Sequence, residues 1–221
     1  MTEKRIKSFE ELHTVIQSFD KKIVSYRGQT ELDWEVKPKV GRYKKFKTKN
    51  FLKEEKRILS LFKERAVPYI NRPPENDWDW LAIAQHYGLP TRLLDWTRNP
   101  LVAAFFAVEE QSKSDSVIYV YHNNKYIKTE KKKPFSQTKI IRFIPNHITQ
   151  RIIAQTGLFT IHPEPRKDFS DDPEISRIII EKSFRKPLKK ILFKYGIHES
   201  SLFPDLDGLT KHIEWLRTDV Y

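Results

Sequence analysis

One stretch of the chain, residues 85–100, constrains the local fold more than any other, and an apolar run follows it at once. Gly88 and Pro90 predict the end of one helix, because glycine tolerates a left-handed C-cap and proline cannot continue the hydrogen-bond ladder. Asn99 and Pro100 predict the start of the next helix, since a capping side chain is followed by proline at the first helical position. We therefore expect a loop fixed between two helices, and such loops commonly carry functional side chains.

The composition bounds the class of protein. Of the 221 residues, 38% are hydrophobic and 13% aromatic, so we expect one compact domain over 1–221 with a substantial core. No apolar run approaches the length of about 18 residues that a membrane span needs, and no secretory signal is expected. The absence of cysteine excludes disulfides, thiol catalysis and cysteine-ligated zinc. These features predict a cytoplasmic protein that makes no membrane contact.

The positive charge is concentrated in three segments. The net charge of the chain is +12, whereas segments 37–57, 125–142 and 182–194 carry +8, +6 and +6, which leaves the remainder acidic. A basic surface set against an acidic remainder is typical of a protein that binds a nucleic acid or another polyanion. The alternative is that these lysine-rich runs are solvated faces that aid solubility.

The hydrophobic pattern predicts an α+β fold with a mixed, mostly antiparallel sheet flanked by helices, a helical N-terminal half and a strand-rich C-terminal half. The predicted helices cover 7–19, 51–65, 78–87, 101–108, 148–156, 187–192 and 209–217. The predicted strands cover 23–28, 116–121, 139–144, 158–162 and 176–181, with a further extended piece over 34–40. Asp77 is expected to cap the helix that follows it, and Asp205 or Asp207 the last helix.

Four residues at the end of the first predicted strand, a short one, form the first candidate site: Tyr26, Arg27, Gly28 and Gln29. An arginine there presents a planar set of donors that suits phosphate or carboxylate, and the glycine lets a ligand approach the backbone. The alternative is a structural arginine that is bonded to loop carbonyls.

His86 and Tyr87 close a predicted helix just before the predicted loop. A helix C-terminus favours a charged imidazole, so His86 acts either as an acid or simply as a helix end. The other histidines show no metal-ligand spacing, and we expect no metal. These are His13, His122, His147, His162, His198 and His212.

Asp95 and Trp96 lie at the tip of the predicted loop. Asp95 is placed to accept from Arg92 or Arg27, and Trp96 offers a flat surface for stacking a base or ring. The alternative for Trp96 is a core tryptophan beside an Asx-type turn. Later in the chain, Gln155 is placed near a helix end, where it can hydrogen-bond a ribose hydroxyl or a substrate. Glycine-rich phosphate loops and nucleophile-elbow motifs are absent from the sequence.

The motifs resemble the FRG domain of bacterial and phage proteins over nearly the whole chain and in the same order. The segments that carry the resemblance are 26–29, 86–97 with the helix start at 99–100, Arg151, 155–159 and 202–208. A strand ending in Tyr-Arg-Gly is also similar to the first motif of arginine-type ADP-ribosyltransferases, and this second resemblance implies an ADP-ribosyltransferase-like fold.

The second resemblance implies an enzyme that uses NAD as a substrate. Arg27 would hold the pyrophosphate with support from Gln29, Thr97 would hold the ribose, and Trp96 or Tyr87 would stack on the nicotinamide. Gln155 would orient the ribose C1′, unless a late acid does so. The late acids are Glu199, Asp205 and Asp207. The further residues expected to line the NAD site are Tyr26, Gly28, His86, Arg92, Asp95 and Phe159.

The function expected from these resemblances is that of a toxin or anti-phage effector. It would transfer ADP-ribose to a nucleic-acid or protein acceptor or hydrolyse NAD, and a partner protein would neutralise it. Two alternatives remain open. One is a non-catalytic nucleic-acid-binding module that uses the basic segments with exposed aromatics such as Trp34 and Tyr43. The other is a metal-free nuclease that uses His86.

Overall fold

Seven strands form one sheet in the computed structural model, which describes residues 2–19, 23–47, 49–70, 73–129, 132–146 and 149–218. The order across the sheet is β1-β7-β4-β2-β3-β6-β5. Only β1 and β7 run parallel, and every other neighbouring pair is antiparallel. The strands are β1 Glu3–Ile6, β2 Ser25–Gln29, β3 Leu93–Thr97, β4 Ser116–Tyr121, β5 Ile141–Phe143, β6 Gly157–Ile161 and β7 Ile175–Ile180.

The helices flank this sheet, which confirms the predicted α+β class and the mixed, mostly antiparallel sheet. They are α1 Phe9–Gln17, α2 Phe51–Ala66, α3 Asp77–His86, α4 Pro100–Val108, α5 Gln150–Ala154, α6 Lys182–Lys194, α7 Glu199–Leu202 and α8 Leu206–Thr218. No helix among the described residues is both long and apolar enough to cross a membrane.

Both faces of the sheet are covered by apolar side chains. Ile118 and Val120 of β4 pack toward the wholly apolar α4, which α6 covers in turn. On the opposite face, Tyr119 and Tyr121 of β4 join Trp96 in a second cluster. This alternation follows from the period of two along a strand, which sends successive side chains to opposite faces. The central strands β2 and β3 therefore lie between packed layers, which fixes the position of the side chains they carry.

The prediction of a loop over the residues after Pro90 was wrong for 93–97, because these residues form β3 in the middle of the sheet. Every residue of β3 pairs with β6, from Leu93 with Ile161 to Thr97 with Gly157. Leu94 and Trp96 are buried on one face, while Asp95 is exposed on the other. The aspartate and the flanking helix signals suggested a turn, but pairing with neighbouring strands outweighs such local preferences.

Helix boundaries differ from the predicted ones where a cap or a buried anchor was overlooked. Asn76, not Asp77, caps α3, and its side chain accepts from Trp78 N and Asp79 N. Pro187 was predicted to open a helix but lies inside α6, whose earlier turn is held by buried side chains such as Phe184. Asp205 caps α8 by accepting from Gly208 N.

Three further segments differ from the predicted pattern or only partly match it. The extended piece over 34–40 is not a strand and runs into a 3₁₀ turn at Lys39–Arg42. The short strand β1 was not predicted, because its sequence has no apolar alternation and its parallel pairing with β7 is supplied from the other end of the chain. The predicted helix over 148–156 is α5, and its predicted start, like His147, lies outside the described residues.

Candidate functional site

A cleft of about 670 Å³ lies between the central strands β2 and β3, within the size range of small-molecule sites. The two strands pair at Tyr26 and Thr97, and the cleft opens beside this pair. Its walls come from β2 and the loop after it, the end of α3, β3, α4, α5 and β6. The lining residues are Tyr26, Arg27, Gly28, Gln29, Thr30, Asp33, Trp34, Glu35, Arg42, Gln85, His86, Asp95, Trp96, Thr97, Phe106, Arg151, Ile152, Gln155 and Phe159.

The three residues predicted from the sequence to be catalytic, Arg27, Thr97 and Gln155, all line this cleft. Seven of the nine residues predicted to bind the cofactor line it as well, and Tyr87 and Arg92 do not. Residues that are far apart in the chain thus meet at one place because β2, β3 and β6 are neighbours in the sheet.

Arg27 bridges the two strands at the cleft. Its Nη1 donates to the main-chain oxygen of Asp95 over 2.9 Å, while its buried Nε has no partner among the described residues. Burial lowers the pKa of Arg27, Asp95 opposes that shift, and the nearby positive charge of Arg42 adds to it. The half-buried guanidinium is thus a partly desolvated cation, which an anionic ligand would stabilise.

The hydroxyl of Thr97 is committed to main-chain groups. It donates to the oxygen of Gln155 over 2.7 Å and accepts from the nitrogen of Asn99 over 3.0 Å. It therefore ties β3 to the end of α5 and to the start of α4, and it has no proton left to donate to a ribose. Gln155 donates through Nε2 to the oxygen of Leu202 over 3.2 Å, so its position is fixed by α7.

The carboxylate of Asp95 is exposed in the cleft and held in place from one side. Gln85 donates to Asp95 Oδ2 over 2.8 Å, and Thr91 donates to Gln85 Oε1 over 2.6 Å. This short relay orients the Gln85 amide so that its NH₂ group faces the carboxylate. Asp95 has further acceptor capacity for a ligand, because an ionised carboxylate offers about four lone-pair sites.

Residues 22–116 match the family model of the FRG domain. This segment of the chain is an FRG domain. The FRG match covers the chain from β2 to the first residue of β4, and it includes the part of the cleft formed by Arg27, Gln85, His86 and Asp95. No curated protein and no solved structure matched the chain.

The cleft continues beyond the matched FRG segment. Arg151, Ile152, Gln155 and Phe159 belong to α5, β6 and the turn between them, which follow that segment in the chain. Arg151 stacks over the ring of Phe203, with its guanidinium carbon 4.5 Å from the ring centre. The FRG segment therefore supplies one wall of the cleft, and the later part of the chain supplies the other.

His86 of the FRG domain lines the cleft, and its protonation state differs from the one expected. Burial lowers its pKa, the charge of Arg151 adds to this, and Asp95 and Asp205 oppose it only in part. The expectation that the helix end favours a charged imidazole is therefore corrected, because desolvation and a nearby cation favour the neutral form. No second histidine lines the cleft within the described part of the chain.

Two residues expected at the site lie elsewhere. Arg92 is buried and donates to both carboxylate oxygens of Glu55, over 2.7 Å from Nε and 2.5 Å from Nη2. Its guanidinium also lies 4.9 Å from the ring centre of Phe135. Tyr87 is 72% exposed and lines a separate hollow beside α2. Both residues follow the end of α3, and the sequence did not indicate which way the chain turns after that helix.

Two aromatic side chains at the cleft belong mainly to the core. Trp96 is buried, donates through Nε1 to Thr160 Oγ1 over 2.8 Å, and packs against the rings of Tyr121 and Phe169. Phe159 is buried in the cluster around α3. The alternative of a core tryptophan thus describes the packing of Trp96, and both residues line the cleft from within packed clusters.

Gly28 is required by packing rather than by a ligand. A Cβ atom at this position would lie 1.9 Å from the main-chain oxygen of Ala103 and 2.6 Å from the nitrogen of Ala107. Helix α4 occupies the space on the Cβ side of this glycine, while Gly28 itself lines the cleft. Close contact between β2 and the middle and end of α4 accompanies the position of Arg27 at the edge of the cleft.

None of the late acids proposed from the sequence lines the cleft. Glu199 is buried with Lys189, 3.2 Å away, and with His212, 3.7 Å away. Asp205 caps α8, and Asp207 is exposed in the first turn of that helix. The carboxylates that do line the cleft are Asp33, Glu35 and Asp95.

The sequence also failed to single out several cleft residues. Arg42 and Arg151 bring further positive charge, although Arg42 lies in a basic segment and Arg151 was part of the FRG resemblance. Gln85, next to His86, was quoted only as part of the long motif. Among the described residues, no group of three or more His, Asp or Glu side chains is placed to hold a metal.

Proposed function

We propose that the protein is an NAD-using enzyme of the ADP-ribosyltransferase type, which transfers ADP-ribose to an acceptor or to water. The observation that carries this proposal is the convergence of Arg27, Thr97 and Gln155 on one cleft of nucleotide size. These residues were chosen from the sequence for this chemistry, and they are separated by up to 128 positions in the chain. We further propose that it acts in the cytoplasm as a bacterial or phage toxin or defence effector, under the control of a neutralising partner.

Three arginines of the cleft suit the pyrophosphate of NAD, although Asp33, Glu35 and Asp95 line the same cleft. Arg27, Arg42 and Arg151 all line this space. Arg42 is oriented by donation from its Nε to the oxygen of Lys37 over 3.0 Å, which leaves its terminal nitrogens for a ligand. Planar guanidinium groups are the preferred partners of phosphate because they can donate two parallel hydrogen bonds.

Of the three carboxylates that line the cleft, we assign Asp95 to the reacting ribose, because Gln85 holds it in place. Cleavage breaks the bond between ribose C1′ and the nicotinamide nitrogen, and the bonding pair leaves with nicotinamide. A hydroxyl of the acceptor, or water, then forms the new bond to C1′ and loses its proton. The positive charge that develops on the ribose is stabilised by a fixed negative group. The contact with Gln85 holds Asp95 for that role.

We assign Thr97 and Gln155 a positioning role in the wall of the cleft. The Thr97 hydroxyl does not bind the ribose in this proposal. Because that hydroxyl holds the main chain of Gln155, the two residues fix the distance between β3 and α5. The neutral imidazole of His86 and the rings of Trp96 and Phe159 supply the less polar part of the lining, where nicotinamide would lie.

The test is release of nicotinamide from NAD by the purified protein, with and without single-stranded nucleic acid. We expect turnover that falls about 100-fold or more in Arg27→Gln and in Asp95→Asn, the range seen when one transition-state contact is removed. Asp207→Asn removes an exposed carboxylate outside the cleft and should keep full turnover. Absence of turnover in the unaltered protein, or full turnover in Arg27→Gln, would refute the proposal.

A further inference from the structure

An exposed basic surface with aromatic side chains begins at the mouth of the cleft. We name residues 42–47 and 49–51, together with Arg166, the basic strip. Arg42 lines the cleft, and the strip continues from it through Tyr43, Lys44, Lys45 and Lys47, which are all exposed. Thr48 lies outside the described residues.

The rings of the strip form a continuous series. The ring centres of Tyr43 and Phe46 are 6.0 Å apart, and those of Phe46 and Phe51 are 5.2 Å apart. Arg166 lies over Phe51, with its guanidinium carbon 4.7 Å from the ring centre. Tyr43 is 44% exposed, and Trp34, which lines the cleft, is 52% exposed. Flat exposed rings between positive charges are what a single-stranded nucleic acid needs for base stacking along its backbone.

The acidic residues of this part of the chain do not offset the charge of the surface. The only acids in segment 37–57 are Glu54 and Glu55, which are 8% and 2% exposed. Glu55 is bound to Arg92 in the interior. The exposed face of the segment is therefore more positive than its net charge indicates.

The other two basic segments present less free charge. In segment 182–194, Arg185 and Lys189 are buried and donate to main-chain oxygens of Thr30, Glu110 and Glu109. In segment 125–142, Arg142 is buried and donates to the oxygen of Tyr121. Glu130 and Lys131 of that segment lie outside the described residues. Both segments also lie apart from the cleft lining.

We propose that the basic strip binds single-stranded nucleic acid and directs it to the cleft, as the acceptor of the reaction. Binding follows from the charge and the rings of the strip alone, whereas the acceptor role rests on the proposed function. Lysines of the strip would contact phosphates, and Tyr43 and Trp34 would stack on bases near the cleft.

The test uses a labelled single strand of about 12 nucleotides, a length within the range of known single-strand sites. The variant Lys44→Glu/Lys45→Glu/Lys47→Glu/Lys49→Glu reverses four exposed charges of the strip. The matched control Lys125→Glu/Lys128→Glu/Lys132→Glu/Lys133→Glu reverses four exposed charges of segment 125–142. We expect affinity to fall at least 100-fold in the strip variant and less than threefold in the control.

Salt dependence identifies the contacts. The slope of log affinity against log salt should become shallower in the strip variant by about 0.7 for each lysine that contacts a phosphate. Tyr43→Ala should lower affinity about tenfold, because stacking contributes without counterion release, and should leave the slope unchanged. Equal losses in the strip variant and the control would show that net charge alone drives binding, which contradicts the proposal.

Two further outcomes separate this inference from the proposed function. Nicotinamide release with no binding of RNA or DNA strands would overturn the strip proposal and keep the enzyme. Strip-dependent binding with no NAD turnover would support the strip as a binding surface and refute its acceptor role together with the enzyme. Binding of polyglutamate as tight as that of the nucleic acid would show that the strip recognises acidic protein, which also overturns the inference.

Discussion

The guanidinium of Arg27 donates to the main-chain oxygen of Asp95 over 2.9 Å, across the gap between β2 and β3. The strands pair at Tyr26 and Thr97, so this side chain supplies a link where the backbone ladder does not. The link places a half-buried positive charge next to the residue whose carboxylate faces the cleft. This contact holds two groups side by side where β2 and β3 separate. They are the guanidinium of Arg27, which would bind an anionic nucleotide, and the carboxylate of Asp95, which would stabilise its reacting ribose.

Thr97 should act on stability through its hydroxyl. In Thr97→Val, the oxygen of Gln155 and the nitrogen of Asn99 lose their partner, and we expect a loss of about 1–3 kcal/mol in the free energy of unfolding. Thr97→Ser keeps the hydroxyl and should lose less than half as much. Urea denaturation measures both values, and equal losses would contradict the assigned hydrogen bonds.

Gly28 should tolerate no side chain, because the added carbon would overlap the main chain of α4. We expect Gly28→Ala to lower the free energy of unfolding by about 1–3 kcal/mol or more, the usual cost of overpacking. In the control Gly157→Ala, the nearest atom to the new carbon is 3.4 Å away. The control should therefore be less destabilised in the same thermal or chemical unfolding measurement. Loss of ligand binding in Gly28→Ala without loss of stability would favour the ligand role originally expected for this glycine.

Arg92 should stabilise the fold rather than bind the substrate. Its loss in Arg92→Met leaves Glu55 as a buried unpaired charge. We expect the free energy of unfolding to fall by about 3–5 kcal/mol, which is typical when one partner of a buried pair is removed. The double variant Arg92→Met/Glu55→Leu removes both charges and should be more stable than Arg92→Met alone. Chemical denaturation of the wild type, both single variants and the double variant tests this. Additive losses in the double variant would show that the two residues do not interact.

His162 should make the protein less stable in mild acid. Burial, with the charges of Arg27 and Arg92, lowers the pKa of this histidine to about 3, so it stays neutral in the folded state. The unfolded chain takes up the proton near pH 6.5, so stability falls by about 1.4 kcal/mol for each pH unit below that value, until about pH 3. We expect His162→Gln to show a shallower fall between pH 6.5 and 5 in urea denaturation. An identical slope in the two proteins would exclude this histidine as the cause.

Local signals in the sequence predicted the helices whose ends carry strong caps. Asn99 caps α4 as predicted, and its side chain accepts from Leu101 N. Strand β4 was predicted over its full length, because six consecutive residues rich in β-formers leave few alternatives. The strand β3 was missed, since its identity depends on pairing with β6, which follows about sixty residues later in the chain.

In the candidate site, too, some features could be predicted from the sequence and others depend on contacts with distant parts of the chain. Arg27, Thr97 and Gln155 were selected as residue types in a familiar order, and the sheet brings them together. What each side chain contacts could not be predicted. Arg92 turned inward because Glu55 of α2 offers it a carboxylate, and Glu199 is held by Lys189 in the same way. Both partners come from other helices, so neighbouring residues in the sequence gave no signal of them.

The most direct test of the central claim is calorimetric titration of the purified protein with NAD. We expect saturable binding that weakens about tenfold or more in Arg27→Gln, the usual cost of losing a charge-assisted hydrogen bond. Arg98→Gln removes an exposed arginine outside the cleft and should bind as the unaltered protein does. Absence of NAD binding, or equal affinity in all three proteins, would contradict the assignment of the cleft to this nucleotide.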